Sequence, residues 1–319
     1  MYRGLTVAAV VPAFKEQEHI ADVIRSMPEL VDHIVVTDDA SPDETAERAR
    51  AAADGRTVVI TLPQNQGVGG AVLTGHRAAL DRGADVCVVM AGDGQMDPDF
   101  LPALLEPIAD GRAQFTKANR FYGRGSFKGM PRSRIVGNIA LSFLTKAASG
   151  YWNLFDPQNG YTAIHRDALD RIPWDQIARR YDFENDLLIN LNILRVPAVD
   201  VPVPARYGRE TSGMKLASVG PRIALRLFRG FWTRIWWKYV LQSFSAVALL
   251  LFSGLALVLV GSLVGLWIIF QTLGPPVASA GTVLLCVGPL LSGIHMLLFA
   301  MLLDIQESAP TPRVPRPDA

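Results

Sequence analysis

Three short acidic stretches carry the side chains best suited to chemistry. Asp38-Asp39-Ala40-Ser41-Pro42-Asp43 sets two acids side by side, and their mutual repulsion calls for a compensating donor or ligand. Ala91-Gly92-Asp93-Gly94-Gln95 presents Asp93 and Gln95 on a turn that glycine allows to be tight. Pro12-Ala13-Phe14-Lys15-Glu16 ends the first apolar run in an acid. Oxygens such as those of Asp93 and Gln95 suit a hard cation whose remaining shell is phosphate and water. The basic counterparts are Arg120, the pair Arg132 and Arg134 at a helix start, and the loop from Arg206 to Lys215. Basic side chains at a helix start are unfavourable for the dipole unless an anion binds there. Plainer readings exist for all of these. The basic loops can be solvated. The acids can cap helices, with Ser41 or Asp43 opening a helix over 46–53 and Asp97-Pro98-Asp99 opening another.

The elements that would position these residues alternate. Apolar runs rich in β-branched residues cover 6–11, 33–37, 57–62 and 86–90, with Pro12 expected to stop the first. Helical patterns follow at 20–27, 46–53 and 71–81. Further on, 116–121 and 199–203 read as strands, the latter an edge strand by its flanking prolines. Helices are expected over 135–148 and 187–194. Strand–helix alternation at short spacing gives an α/β fold with a mostly parallel sheet and right-handed crossovers. The strand ends then share one edge, where such sheets bind ligands, so Glu16, Asp38, Asp39 and Asp93 converge. Gly67-Val68-Gly69-Gly70 is not a dinucleotide fingerprint: the third glycine is replaced by Val72, and the motif belongs after the first strand. These glycines are read as close helix–sheet packing.

With 31 basic and 30 acidic residues, net charge is +1 and gives no argument for nucleic acid. Cys87 and Cys286 lie in separate apolar runs and read as packing residues. Between Tyr239 and Leu303 there is no Asp, Glu, Lys or Arg. Such a gap exceeds the ~20 residues one span needs and predicts two, over 241–270 and 277–303, with Gly274-Pro275-Pro276 between them. A helical hairpin buried in a soluble core is the alternative, but soluble helices of this length show a polar stripe. Residues 217–238 interleave Trp232, Trp236 and Trp237 with Arg226, Arg229, Arg234 and Lys238, as in an interfacial helix beside a span. Basic residues flank both ends of the pair, Arg234 and Lys238 before it, Arg313 and Arg316 after it, which places both termini in the cytoplasm. Gly261 and Gly265 lie four apart on the first span, a spacing that permits a homo-oligomer packed through the spans; lipid-facing glycine is the alternative.

In order, these pieces resemble the inverting family 2 glycosyltransferases of the GT-A fold, and more closely the polyprenyl-phosphate sugar synthases. The resemblance covers roughly 6–215. It implies a GT-A (Rossmann-like) domain over 1–215, a juxtamembrane helix over 216–240, two spans over 241–305 and a flexible cytoplasmic tail over 306–319. It further implies transfer of a hexose from a UDP- or GDP-linked sugar to an undecaprenyl- or dolichyl-type phosphate, with a divalent metal, Mg2+ or Mn2+. The nucleotide sugar would be held by Pro12, Glu16, Asp38, Asp39, Ser41, Asn65, Gly67, Arg206 and Lys215. Ala91 replaces the first acid of the family's metal motif and leaves Asp93 and Gln95 as the implied ligands. Arg120, Arg132, Arg134 and Asn138 would face the acceptor phosphate, and Asp93, Asp156, Arg120 and Arg134 would carry catalysis. Two rival readings remain. A processive polysaccharide synthase would carry Gln-x-x-Arg-Trp, whereas Gln176 to Arg180 ends in arginine. A catalytically dead membrane scaffold draws on the acid missing at Ala91.

Overall fold

Four runs of Val, Ile and Ala form the heart of a sheet in the computed structural model, which describes residues 1–121, 132–156, 159–180, 182–204, 216–271 and 278–307. The strands are β1 (Val7–Ala13), β2 (His33–Asp38), β3 (Thr57–Thr61), β4 (Val86–Val89), β5 (Phe115–Asn119), β6 (Thr162–His165) and β7 (Ala198–Pro202). They lie in the order β3-β2-β1-β4-β6-β5-β7, with β7 at one edge as its prolines suggest. Every pairing is parallel except those of β6, which runs against both β4 and β5. The reversal has a consequence for chemistry: the segment entering β6 lies at the same edge as the segments leaving β1, β2, β4 and β5.

Helices α1 (Ile20–Arg25), α2 (Thr45–Ala52), α3 (Val68–Asp81), α4 (Leu101–Ala109), α5 (Arg132–Ser149), α6 (Arg166–Leu169) and α7 (Phe183–Ile193) surround the sheet. Alternate β1 residues face opposite ways, as strand geometry requires. Val7, Ala9 and Val11 join Ile20, Ile24, Leu104 and Leu105 in one core. Ala8 and Val10 join Val72, Leu73, Leu187 and Leu188 in another. Pro12 does not stop β1. The strand continues to Ala13 because the Pro12 carbonyl accepts the Gly92 N–H at 3.1 Å and the Ala13 carbonyl accepts the Asp39 N–H at 2.9 Å. The glycines after β3 pack differently from the expectation. A Cβ at Gly67 would lie 2.7 Å from the Arg179 carbonyl, and one at Gly69 would lie 2.7 Å from the Phe183 Cβ, so both abut the 178–183 segment rather than the sheet. The close helix–sheet approach is at Gly75, against Val10 and Thr37.

Met1–Trp232 and Thr233–Ala309 form separate compact units. In the second, a π-helical segment, Ile235–Leu241, follows α8 (Leu216–Arg234) and leads to α9 (Ala246–Gln271) and α10 (Ala280–Glu307). Both last helices are long and apolar enough to cross a membrane, and only 22% and 11% of their most apolar stretches are buried. That exposure argues against the soluble-hairpin alternative, in which both helices would be mostly buried. Arg234 and Lys238, expected at the surface as basic flanks, are instead buried. Arg234 forms a two-pronged ion pair with Asp304 at 2.6 and 3.1 Å, the Tyr239 hydroxyl donates to Asp304 at 2.5 Å, and Lys238 lies 3.8 Å from Glu307. Trp236 and Trp237 take the exposed positions. Gly261 is occupied within the hairpin, since a Cβ there would lie 2.7 Å from Leu290.

Gly75 generates a direct test. An added methyl would overlap the Val10 side chain in the middle of β1. Gly75→Ala is expected to destabilise the chain by about 1–3 kcal/mol, the usual cost of overpacking, read as a lowered thermal midpoint of the detergent-solubilised protein.

Candidate active site

The edge holding the carboxyl ends of β1, β2 and β4 is built from two interlocked loops. Lys15 and Ala40 both adopt left-handed backbone, at φ 62° and 57°. Such strain in non-glycine residues costs roughly 1–3 kcal/mol and persists only where surroundings enforce it. Here the Lys15 N–H donates to the Ser41 hydroxyl at 3.0 Å and the Glu16 N–H to the Thr45 hydroxyl at 2.9 Å. Thr45 in turn donates through its hydroxyl to Asp43 at 2.6 Å. Of the two capping residues expected for α2, Asp43 serves its start by accepting the Thr45 N–H at 3.2 Å, and Ser41 is turned to the Pro12–Glu16 loop.

The paired acids find different compensation. Asp39 accepts the N–H groups of Gln66 and Gly67 at 2.7 and 2.8 Å, and the Asn65 side chain donates to its carbonyl at 3.2 Å. Gly67 needs its glycine here, with φ at 88°. Asp38 accepts the Ser41 N–H at 3.3 Å through one oxygen. Its other oxygen is buried with no hydrogen-bond partner among the described residues, and so is the Thr37 hydroxyl. An unsatisfied buried acceptor costs about 1–3 kcal/mol, which makes the pair a candidate contact for a ligand's donors.

Asp93 lies past β4 with one oxygen accepting the Gln95 N–H at 3.0 Å, on a turn where Gly94 has φ 72°. Gly92 lets this turn sit against β1: a Cβ there would lie 3.2 Å from the Pro12 carbonyl. No cluster of three His, Cys, Asp or Glu able to hold a metal occurs among the described residues. One carboxylate beside one exposed amide does not make a protein cage. Mg2+ sites commonly use only one or two carboxylates, with substrate phosphate and water completing the shell.

On the other side of β4, the reversed β6 brings Asp156 to the end of β5. The Asp156 carboxylate accepts from Arg120 at Nε (2.7 Å), at a terminal guanidinium nitrogen (3.0 Å) and at the backbone N–H (3.2 Å). Asp156 is fully buried and Arg120 half-buried, which makes this a geometrically demanding pair. Beneath it lies a charged layer whose Lys117 and Asp200 the sequence reading missed. The Lys117 ammonium, buried in β5, donates to the Asn159 carbonyl. Burial pushes it below the usual lysine range, while Glu184, Asp156 and Asp200 pull it back. Burial raises Glu184, with Lys117 opposing. Asp200 accepts from the Asn119 amide at 2.9 Å and the Phe155 N–H at 2.6 Å; its second oxygen has no partner among the described residues, and burial pushes it up to about 6. Lys117 and Glu184 line a cavity of about 70 Å³ that also reaches Ala91, Met96 and Gly160. The available signal was a lone charge within a short strand, Lys117 in FTKAN and Asp200 in AVDVP.

Arg132 and Arg134 fall in the first turn of α5 and Asn138 follows on the same helix, but their side chains lie outside the described residues, as do Arg206 and Lys215 altogether. The structure therefore assembles Pro12, Glu16, Asp38, Asp39, Ser41, Asn65, Gly67, Asp93 and Gln95 on one side of the edge, and Arg120 with Asp156 on the other.

A model of the family described as "Glycosyl transferase family 2" matches residues 8–173, just over half of the 319. The chain belongs to glycosyl transferase family 2. A UDP-N-acetylglucosamine–dolichyl-phosphate N-acetylglucosaminyltransferase of Methanococcus voltae is 30% identical over 68% of this chain and 93% of its own length. An undecaprenyl-phosphate mannosyltransferase of Micrococcus luteus is 33% identical, covering 62% and 83%. Among solved structures, glucosyl-3-phosphoglycerate synthase from Mycobacterium tuberculosis, in complex with Mn2+, UDP-glucose and glycerol 3-phosphate, superposes with a TM-score of 0.54 at 24% identity, over 72% of this chain and 80% of that one. This family 2 chain is thus a glycosyltransferase, and the GT-A fold expected from its motifs is borne out.

Asp200 provides a pH test. Its folded pKa is raised from 3.8 to about 6, so between these values the folded state holds more proton than the unfolded one. Stability should then fall as pH rises from about 4 to about 6. Asp200→Asn is expected to flatten that slope, measured as unfolding midpoint against pH for both proteins; equal slopes would remove the assignment.

Proposed function

We propose that this family 2 enzyme moves a hexose from a nucleotide sugar, UDP- or GDP-linked, to a polyprenyl phosphate, with inversion at the anomeric carbon. The observation that carries the reading is the meeting of two unlike half-sites at one sheet edge. One side offers an unpaired buried carboxylate oxygen at Asp38 and the Asp93 turn; the other offers the Arg120–Asp156 pair. Polyprenyl phosphates named in the relatives' activities, and two helices apolar enough to hold the chain in a bilayer, support the acceptor class. In this reading the chain is a multi-pass protein of the cell membrane, with its catalytic domain and both termini in the cytoplasm. Arg313 and Arg316 still support that orientation, whereas Arg234 is paired with the buried Asp304 and Lys238 lies beside Glu307.

The new bond joins an acceptor phosphate oxygen to the anomeric carbon, and the bond from that carbon to the nucleoside diphosphate breaks. A phosphate monoester has its second pKa near 6 and is largely dianionic at neutral pH, so no strong general base is required. Asp93 and Gln95 would hold a divalent cation, Mg2+ or Mn2+, which when bound supplies positive charge to the diphosphate leaving group. Asp38, Asp39, Ser41, Asn65 and Gly67 shape the nucleoside pocket, with Pro12 and Glu16 at its rim. Asp156 holds the Arg120 guanidinium plane in place, and Arg120 with Arg134 faces the acceptor phosphate.

The test is a panel of radiolabelled nucleotide sugars with purified protein and polyprenyl phosphate, read by lipid extraction. One donor is expected to give lipid-linked label, lost on chelation of divalent metal and in a folded Asp93→Ala variant. Label from no donor would favour the scaffold reading that Ala91 invites. Turnover in excess chelator would remove the metal assignment.

Arg134 gives a second test. Lysine cannot reproduce the planar fork of arginine on phosphate. Arg134→Lys is expected to raise the apparent acceptor KM roughly ten- to hundredfold while calorimetry finds nucleotide affinity nearly unchanged. The reverse pattern would assign this arginine to the donor diphosphate.

A further inference from the structure

A second cavity, open and about 530 Å³ in volume, lies between the 178–182 segment that leads into α7 and the middle of α8. Its charged lining is four arginines, Arg179, Arg180, Arg226 and Arg229, against one acid, Asp182. Arg226 is held by Asp182 through two of its nitrogens, both at 2.8 Å, and lies 3.9 Å from Asp186. Arg179 donates to the Gln66 side-chain oxygen at 2.8 Å, a contact that orients the guanidinium without neutralising it. Arg180 is exposed and forms no ion pair among the described residues. Like charges gathered around one cavity repel, and a bound anion relieves that repulsion.

The periodicity of α8 gives the cavity a second property. Ile223 and Leu227 are buried with Ile189 of α7 and Ala148 of α5. On the opposite side of the helix, Leu225 and Phe228 are 52% and 62% exposed, and the Phe228 ring meets Trp232 with centroids 6.3 Å apart. Leu225, Phe228 and Trp232 follow the i, i+3, i+7 spacing of one stripe. Leu225 also lines the cavity, so the arginines and the exposed apolar stripe share a border. Apolar and basic side chains divided in this way suit a helix lying in the plane of a membrane surface. The chain runs on from α8 through Ile235–Leu241 into α9, a helix apolar and long enough to span. A water-soluble anion would use the arginines and leave the stripe uncovered. A phosphate carried on a bilayer lipid answers both. A zwitterionic headgroup brings its own cation to the arginines, which leaves an anionic lipid as the better match.

We propose that the cavity at Arg179, Arg180, Arg226 and Arg229 binds the headgroup of an anionic phospholipid, with Leu225 and Phe228 against its acyl region. This site is separate from the place proposed for the acceptor phosphate at Arg120. It seats the catalytic domain on the lipid surface through bilayer charge. The inference rests on attachment to a bilayer and not on sugar transfer.

The experiment titrates the full-length protein in mild detergent with phosphatidylglycerol or phosphatidylcholine and reads the adducts by native mass spectrometry. Phosphatidylglycerol is expected to bind at least tenfold more tightly than phosphatidylcholine, and less tightly as salt is raised. R180Q/R229Q is expected to weaken phosphatidylglycerol roughly 30-fold, the combined worth of two basic side chains beside anionic lipid, and to leave phosphatidylcholine unchanged. Equal binding of the two lipids, or no change in the variant, would overturn the proposal. Two competitors separate the other sources of phosphate. Displacement of phosphatidylglycerol by an equal concentration of inorganic pyrophosphate would assign the cavity to a soluble anion, and displacement by undecaprenyl phosphate would assign it to the acceptor; either result overturns the proposal. Should R180Q/R229Q melt below the unaltered protein, a photoreactive phosphatidylglycerol crosslinked to the unaltered chain decides. Adducts at 178–180 or 225–229 support the site, and adducts confined to α9 and α10 overturn it. Because none of these readings requires sugar transfer, failure here is distinct from failure of the proposed function.

Discussion

A carboxylate taken out of water must find donors, and this requirement organises the carboxyl edge of the sheet. Asp39 closes the 65–67 turn by accepting two backbone N–H groups. Asp156 takes both prongs of Arg120. Asp200 gathers the Asn119 amide and the Phe155 N–H. Each pairing fixes one loop against another that is distant in sequence. The loops of the site are thus held by its own acids as well as by apolar side chains such as Met96 and Tyr161, which pack in the core.

The requirement is met only in part at Asp38, and Asp200 likewise keeps one oxygen without a partner among the described residues. The second oxygen of Asp38 and the hydroxyl of Thr37 are buried without partners among the described residues, beside loops that hold Lys15 and Ala40 in left-handed backbone. A sequence selected only for stability would relieve these costs, and proteins tend to violate local rules at functional sites. The Lys117–Glu184 layer is a different case. Its opposite charges act on one another below the surface, where both line the cavity that reaches Ala91 and Gly160.

The same electrostatic rule governs the C-terminal unit. Arg234 and Lys238 are buried only because Asp304 and Glu307 return beside them at the end of α10. Tyr239 completes the cluster with a hydrogen bond to Asp304. Close approach of the two long helices comes from Gly254, Gly261 and Gly293, where a side chain would meet the facing backbone at 2.8–3.0 Å. Gly261, one of the two glycines read from the sequence as permitting association between chains, faces α10 of its own hairpin.

The alternation of apolar runs and helical patterns was sufficient to read an α/β fold, the order of strands β1 to β4, and the acids at their ends. These are local signals, written in periods of two and 3.6 residues. The charge-free stretch marked the two long helices for the same reason. Partnership was beyond reach, because it is decided by contacts across long sequence gaps. Nothing near Asp156 announces Arg120, 36 residues away, and nothing near Arg234 announces Asp304, 70 residues away. The reversal of β6 joins the first pair, and the return of α10 joins the second. Pro12 teaches the same lesson at short range: proline ends a strand by lacking a donor, yet here its carbonyl was still required by Gly92, and β1 ran on. Residue type and spacing determined which groups could do chemistry, whereas the tertiary structure decided which of them would neutralise one another and which were left without a partner among the described residues.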